Sequence, residues 1–265
     1  MSDIIQVAKQ AARRAGKFIG DSFYQRDNFE VEEKSLHDYV SEVDRTSETM
    51  LTEDVLKSFP THQIIGEEFG RSGAQAADYQ WVIDPLDGTT NFVRGIPHFA
   101  VSIGILFRGT PYAAVVFDPI KNEMFVAQQE QGTTLNGKPV TVAKRLGLRG
   151  GLLATGIPFS GQPLEELERF LSTLNQLLET QTSGVRRLGA AALDLAYVAA
   201  GRYDGFWESH LKLWDIAAGV LLVTEAGGVI SDLSGGVGYL ESGDVLAGSP
   251  NVHREMLLVT QSCYG

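Results

Sequence analysis

The sequence predicts an α/β fold in two halves, and three observations support this. From Phe99 to Val142 the runs "FAVSIGILF", "PYAAVVFD" and "EMFVAQQ" are rich in β-branched and aromatic residues and are separated by turn residues. That is the texture of an antiparallel meander. Beyond Lys144 helical and strand-like segments alternate, which predicts a second, mixed sheet. No internal repeat or low-complexity linker intervenes, so a boundary near residue 145 separates halves, 1–145 and 146–265, that share an extensive interface. A chain of 265 residues is long enough to bury a sizeable core.

The elements follow in order. Ile4, Val7, Ala8, Ala11, Ala15, Phe18 and Ile19 recur at helical spacing and form one apolar stripe. Lys9, Arg13, Arg14 and Lys17 interrupt that segment before an apolar signal-peptide core can form. A basic amphipathic helix can lie on a membrane, but docking on the protein's own core is the expectation here. Ser41 and Asp44 are capping candidates for a second helix carrying Met50, Leu51, Val55, Leu56 and Phe59, which Pro60 stops. "QIIGEEFG" reads as a short buried strand ending at Glu67 and Glu68, "RSGAQAADYQ" as a polar loop, and "WVI" as the opening of another buried strand. After the meander, Leu164 to Leu178 and "GAAALDLAYVAAG" read as helices, the latter closed by Gly201. "YDGFWE" is a short strand, "WDIAAGVLLVTEAGG" a helix closed by its glycine pair, and "GVISDL" a strand.

Composition narrows the function. With 43% hydrophobic and 21% charged residues the chain is ordinary for a globular protein. Twenty-two basic against 33 acidic residues give a formal net charge of −11, which repels polyphosphate backbones and argues against broad nucleic-acid binding. The same field makes a divalent cation the natural carrier for an anionic substrate. No run of about 18 apolar residues exists to span a membrane. Cys263 is the only cysteine, so no intramolecular disulfide can form and a reducing cytoplasm is the simplest compartment. It reads as a bystander at a loose terminus, with a reactive thiol as the alternative.

Several familiar motifs fail. "GTTLNGKP" (132–139) resembles a P-loop but places proline where Ser or Thr must meet magnesium, and Asn136-Gly137 between β-like runs signals a hairpin. There is no G-x-S-x-G elbow, and the histidines show neither H-E-x-x-H nor a Cys/His pairing for zinc. What remains is oxygen chemistry. Glu67 follows "QIIG", Asp84 and Asp87 follow "WVI", and Asp215 opens a helix, so each sits at an element end able to converge on one cleft. Converging carboxylates repel unless a cation lies among them, and hard oxygen donors without soft ones suit Mg²⁺ or Mn²⁺. The spacing of Asp84 and Asp87 around a turn lets one bridge two metals while the other binds one, and Leu86 offers its backbone carbonyl. Gly88-Thr89-Thr90 at a helix start bares N–H groups for an anion such as phosphate. The plain alternative is an Asp-Gly turn with a capping threonine.

"GEE" (66–68), "WVIDPLDGTTNF" (81–92) and "WDIAAGVLLVTEAGG" (214–228), in that order and spacing, resemble the magnesium-dependent, lithium-sensitive inositol monophosphatases. The similarity runs from the first helix to about residue 260, and "RRLGAAALDLAYVAAGRYDGFWE" resembles the bacterial branch. The resemblance implies a layered αβαβα sandwich of the inositol monophosphatase and fructose-1,6-bisphosphatase type, and a homodimer. It implies that Glu67, Asp84, the Leu86 carbonyl, Asp87 and Asp215 bind two or three Mg²⁺, with Mn²⁺ as a possible substitute. Asp44 and Thr89 match the pair that activates the attacking water, with Glu67 beside them as a catalytic ligand. Substrate contacts are implied for Asp87, Gly88, Thr89, Gly189, Ala190, Ala191, Glu208 and Asp215. Arg186 is a further candidate, although Arg187 beside it makes the register ambiguous. Ala190 and Ala191 lack hydroxyls and can contribute only backbone groups. The implied reaction is hydrolysis of myo-inositol monophosphate in the cytoplasm. A sibling substrate (histidinol phosphate, fructose bisphosphate or a nucleotide phosphate) is one alternative. Another is a regulatory partner of the transcription machinery with residual phosphatase activity.

Overall fold

The computed structural model describes residues 3–26, 29–35, 38–158 and 162–265. Helix α1 (Asp3–Phe23) buries Ile4, Ile5, Ala8, Ala11, Ala12, Ala15, Ile19 and Phe23, and its alanines let it lie close against the next helix and the sheet. Its apolar stripe therefore docks on the protein's own core, as the periodicity predicts. A hairpin of β1 (Val31–Ser35) and β2 (Asp38–Ser41) leads into α2 (Glu42–Ser58). Ser41 caps α2: its hydroxyl accepts the Val43 N–H, and the Asp44 carboxylate accepts the Ser41 N–H, forming a capping box.

The first sheet contains β3 (Gln63–Gly66), β4 (Gly70–Gly73), β5 (Tyr79–Asp87), β6 (Ala100–Phe107), β7 (Thr110–Asp118), β8 (Glu123–Gln128), β9 (Thr133–Leu135) and β10 (Lys138–Val140). Their order is β10-β9-β8-β7-β6-β5-β3-β4, with the short helix α3 (Thr89–Val93) between β5 and β6. The meander is antiparallel as expected, and Asn136 (φ 49°) and Gly137 (φ 78°) make the β9–β10 hairpin turn. Two expectations need correction. The sheet is mixed, because β3 and β5 run parallel. "RSG" is an edge strand, not loop, because β3 offers it a free edge on which to pair.

The second sheet has the order β12-β11-β13-β15-β14, formed by β11 (Leu152–Thr155), β12 (Gly184–Arg186), β13 (Gly205–Glu208), β14 (Val229–Ser231) and β15 (Val245–Gly248). The pairs of β11 with β12 and β13 are parallel and the others antiparallel, so it is mixed as predicted. Four helices longer than a turn accompany it: α4 (Leu164–Glu179), α5 (Ala191–Ala199), α6 (Leu213–Glu225) and, after the one-turn α7 (Tyr239–Ser242), α8 (Pro250–Tyr264).

Among the described residues the three largest apolar clusters set the layering. One joins α1 and α2 to the first sheet, one packs α5 and α6 between the sheets, and one packs α4 and α8 on the far face of the second sheet. The result is αβαβα. Because α5 and α6 fill the space between both sheets, the residues on either side of 145 share one core. Gly104 on β6 makes that contact close: a Cβ there would lie 2.7 Å from the Ala217 Cβ on α6. The C-terminus is not loose. Cys263 lies on α8, where its thiol donates to the Ser172 hydroxyl of α4 and accepts from the Gln176 amide.

Candidate active site

Strand β5 delivers Asp84, Leu86 and Asp87 together. The sequence places the two aspartates at the end of a buried strand, and the strand ends at Asp87, pairing irregularly with β6 between them. The irregular pairing frees Asp84, Leu86 and Asp87 from strict alternation across the sheet. Asp84 Oδ1 accepts the Leu86 N–H at 2.9 Å, and Asp87 Oδ2 accepts the Ala192 N–H of α5 at 2.8 Å. Backbone N–H groups thus orient both carboxylates.

Asp84 and Asp87 are buried, Glu67 and Asp215 half-buried. Burial first, then the nearby carboxylates of Glu67, Asp87 and Asp215, push the Asp84 carboxyl well above its usual range. Burial and Asp215 push Asp87 up to about 8. Glu67 is aligned by its N–H on the Ile83 carbonyl at 3.1 Å, and Asp215 Oδ2 accepts the Lys212 N–H at 2.6 Å at the start of α6. The four predicted acids therefore share one electrostatic neighbourhood. As placed, no three Asp, Glu, His or Cys side chains among the described residues are gathered tightly enough to hold a metal. Closing around an ion would need these side chains to draw closer together.

Close to these acids in the chain, the Thr89 hydroxyl lies 2.7 Å from Asp44 Oδ1 and 3.0 Å from the Leu86 carbonyl. Asp44 is fully buried, and its Oδ2 accepts both the backbone N–H and the hydroxyl of Ser41. Burial outweighs those bonds and the one from Thr89, pushing the carboxyl up to about 6. Gly88 opens α3 in the left-handed region (φ 96°), close to the Gly189 carbonyl.

Glu208 ends β13, half-buried, with Gly156 pressed against its carboxylate. Burial, with Asp215 adding to it and Arg187 opposing, pushes it up to about 8. Gly189 to Ala191 lead into α5, whose N-terminal N–H groups hold Asp87. Arg186 is exposed on β12, bonded to the Val185 carbonyl, and does not join the carboxylates; Arg187 is the neighbour of Glu208 and Asp194.

Two side chains near the acidic cluster escape sequence reasoning. Asn91 donates to the His98 and Leu188 carbonyls, both at 2.8 Å, and so ties α3 to the segment before α5. It lies within "WVIDPLDGTTNF" (81–92), but nothing in its type separates a tether from a turn residue. Asp194 is buried on α5, its carboxyl pushed far up by burial and by Glu208 and Asp87. A lone acid within the alanine-rich "GAAALDLAYVAAG" was the available signal.

The model of the inositol monophosphatase family matches residues 1–265. The chain belongs to that family. Among relatives, a protein called Nus factor SuhB from Pseudomonas aeruginosa is 48% identical over 263 residues, covering 98% of this chain and 97% of its own. The solved extragenic suppressor protein suhB of Bartonella henselae superposes with a TM-score of 0.94 at 37% identity, over 98% of this chain and 99% of that one. An IMPase from Thermotoga maritima gives a TM-score of 0.87 at 31% identity, over 99% and 98% of the two chains. The family's fold is thus the αβαβα sandwich observed here.

Proposed function

We propose that the chain hydrolyses small phosphate monoesters in a Mg²⁺-dependent reaction, with myo-inositol monophosphate as the preferred substrate. The observation that carries this reading is the Thr89–Asp44 hydrogen bond at 2.7 Å, set beside the cluster of Glu67, Asp84, Asp87 and Asp215. Every donor in that cluster is an oxygen, and the carboxylates raise one another's proton affinity, so the site suits a hard divalent cation. Glu67, Asp84, the Leu86 carbonyl, Asp87 and Asp215 would hold it. Bound Mg²⁺, two or three ions with Mn²⁺ as a substitute, would polarise the phosphoryl oxygens and neutralise charge on the leaving group.

The chain's own groups handle the water. The Thr89 hydroxyl, donating to Asp44, keeps lone pairs with which to accept a hydrogen bond from water and aim it at phosphorus. Asp44, lifted toward neutrality by burial, is matched to taking the proton. Gly88, Thr89 and the Gly189–Ala191 segment would supply backbone contacts to the substrate. Glu208, on the Asp215 side of the cleft, would accept bonds from polyol hydroxyls.

A second reading has its own support. The Pseudomonas aeruginosa relative is named as a Nus factor, which favours a transcription-complex partner for this chain as well. Cytoplasmic location and a homodimer accompany both readings. Among the described residues no helix is long and apolar enough to cross a membrane. The test is phosphate release from inositol, histidinol, fructose and nucleotide phosphates, run beside a pull-down from lysate. Turnover of the inositol ester above the others supports the proposal; no turnover of any ester with Mg²⁺ present refutes it.

A further inference from the structure

We infer that Glu48, a residue outside the cluster of candidate ligands, seats the Glu67 loop and so sets the affinity of the acidic centre for its divalent cation. The inference rests on the metal-centre reading above.

Glu48 stands four residues after Asp44 on α2, hence on the same helix face, and is 1% exposed. A buried glutamate is expensive unless its carboxylate is satisfied. Here Oε2 accepts the Glu68 N–H at 2.7 Å and Oε1 the Phe69 N–H at 3.0 Å. Two successive backbone donors on one carboxylate make a charge-assisted clamp on the segment that follows Glu67. On its other side Glu67 is held by its own N–H on the Ile83 carbonyl of β5, the residue before Asp84. The Glu67 backbone is therefore pinned between the strand that carries Asp84 and the helix that carries Asp44.

Gly66 shows how close this contact is. A Cβ at that position would lie 2.0 Å from Glu48 Oε1, so the carboxylate rests against the bare end of β3. One face of α2 thus does two jobs, one turn apart: Asp44 meets Thr89, and Glu48 fixes the backbone from which the Glu67 carboxylate acts electrostatically on Asp84. Glu48 is a positioning residue, acting through Glu67.

Outer-shell groups that orient metal ligands typically change affinity by about 10–100-fold when replaced. Glu48→Gln keeps the shape but turns an NH₂ toward one of the two N–H donors, so the clamp cannot close as before. The experiment is calorimetric titration of the full-length wild type and Glu48→Gln with Mg²⁺, with kcat measured at saturating Mg²⁺. The expected result is a Kd for Mg²⁺ raised by about 10–100-fold with kcat restored to within a few-fold by excess metal. Glu48→Asp keeps the charge but loses one methylene of reach; it should also weaken Mg²⁺ binding, and it decides the matter if Glu48→Gln does not fold. Unchanged Mg²⁺ affinity in a folded variant, even with a lowered Tm, overturns the inference and leaves the metal-centre reading intact. Wild type that takes up no Mg²⁺ at all overturns both.

Discussion

The Thr89 hydroxyl donates to Asp44 Oδ1 at 2.7 Å, joining the start of α3 to the first turn of α2 across 45 positions of sequence. The other carboxylate oxygen is held by Ser41, so the geometry of the pair depends on the helix cap that precedes it. Asp44→Asn keeps the shape and one acceptor but cannot take a proton. It is expected to lower kcat by about 10²–10⁴-fold with Mg²⁺ binding retained, the usual worth of general-base assistance. Thr89→Ala should fall similarly, and Thr89→Ser should recover most of the loss. Near-normal turnover of Asp44→Asn would leave Asp44 as a helix-capping residue only.

Metal dependence is the first expectation from the proposed cation site. Activity is expected to vanish in excess chelator, return with Mg²⁺, and fall when millimolar Ca²⁺ is added, since calcium prefers longer and looser coordination. A ligand bound only by the folded state stabilises by about 2.7 kcal/mol at 100 times its Kd, so Mg²⁺ should also raise Tm. Asp84→Asn should abolish that rise, which separates it from Asp44→Asn. Lithium inhibition is a further expectation from the family. Full activity in excess chelator would contradict the metal-centre reading.

Glu208 bears on substrate choice. A hydrogen bond to a charged group contributes about 1.5–3 kcal/mol, so Glu208→Gln should cost roughly 10–100-fold in kcat/KM on a polyol phosphate. On p-nitrophenyl phosphate, which lacks the hydroxyls, the change should be small. Gly156→Ala reaches the same group sterically, because its Cβ would lie 1.7 Å from Glu208 Oε1, and it should reproduce the substrate-dependent loss. Equal losses on both substrates would place Glu208 in support of the metal site instead.

Much of this was legible in the sequence, for reasons that differ by element. α1 announces itself because its apolar positions keep helical period, and the Asn136-Gly137 turn because few residues accept positive φ. β5 was harder. Its "DPLD" end looks like a turn, and only pairing with β6 carries the strand past Pro85 with a bulge. The edge strand β4 has no apolar pattern, since Gly70 to Gly73 lie largely exposed and are recruited by β3 alone. Among the candidate site residues, the acids at element ends could be read directly as a group. Arg187 over Arg186 could not, because adjacent residues at a strand end point to opposite sides and only the register decides. Glu48 was invisible for a different reason: a glutamate inside a helix is usually solvent-exposed, and its burial depends on Gly66 approaching from another strand.

His98 gives a pH dependence of stability away from the acidic centre. It is buried, with Asp118 and Lys121 near it and the Tyr197 ring edge-on at 6.1 Å. Burial, with Lys121 adding to it, holds the imidazole down at about 4. The unfolded chain, near 6.5, therefore binds the proton more readily between those values. The stabilisation is full above about pH 6.5 and is lost as pH falls toward 4, a term on the order of 3 kcal/mol. Denaturant unfolding of wild type and His98→Gln between pH 4 and 7 should show a shallower acid decline in the variant. Identical slopes would mean that His98 titrates normally in the folded protein.

The most direct measurement is phosphate release from myo-inositol monophosphate by purified wild type and Asp44→Asn, each with Mg²⁺ and with excess chelator. The Thr89–Asp44 pair beside the acidic cluster predicts turnover by wild type with Mg²⁺ and none with chelator. It also predicts a loss of about 10²–10⁴-fold in Asp44→Asn, whose Mg²⁺-induced rise in Tm persists. Release that is indifferent to chelator, or equal in the two proteins, would contradict it.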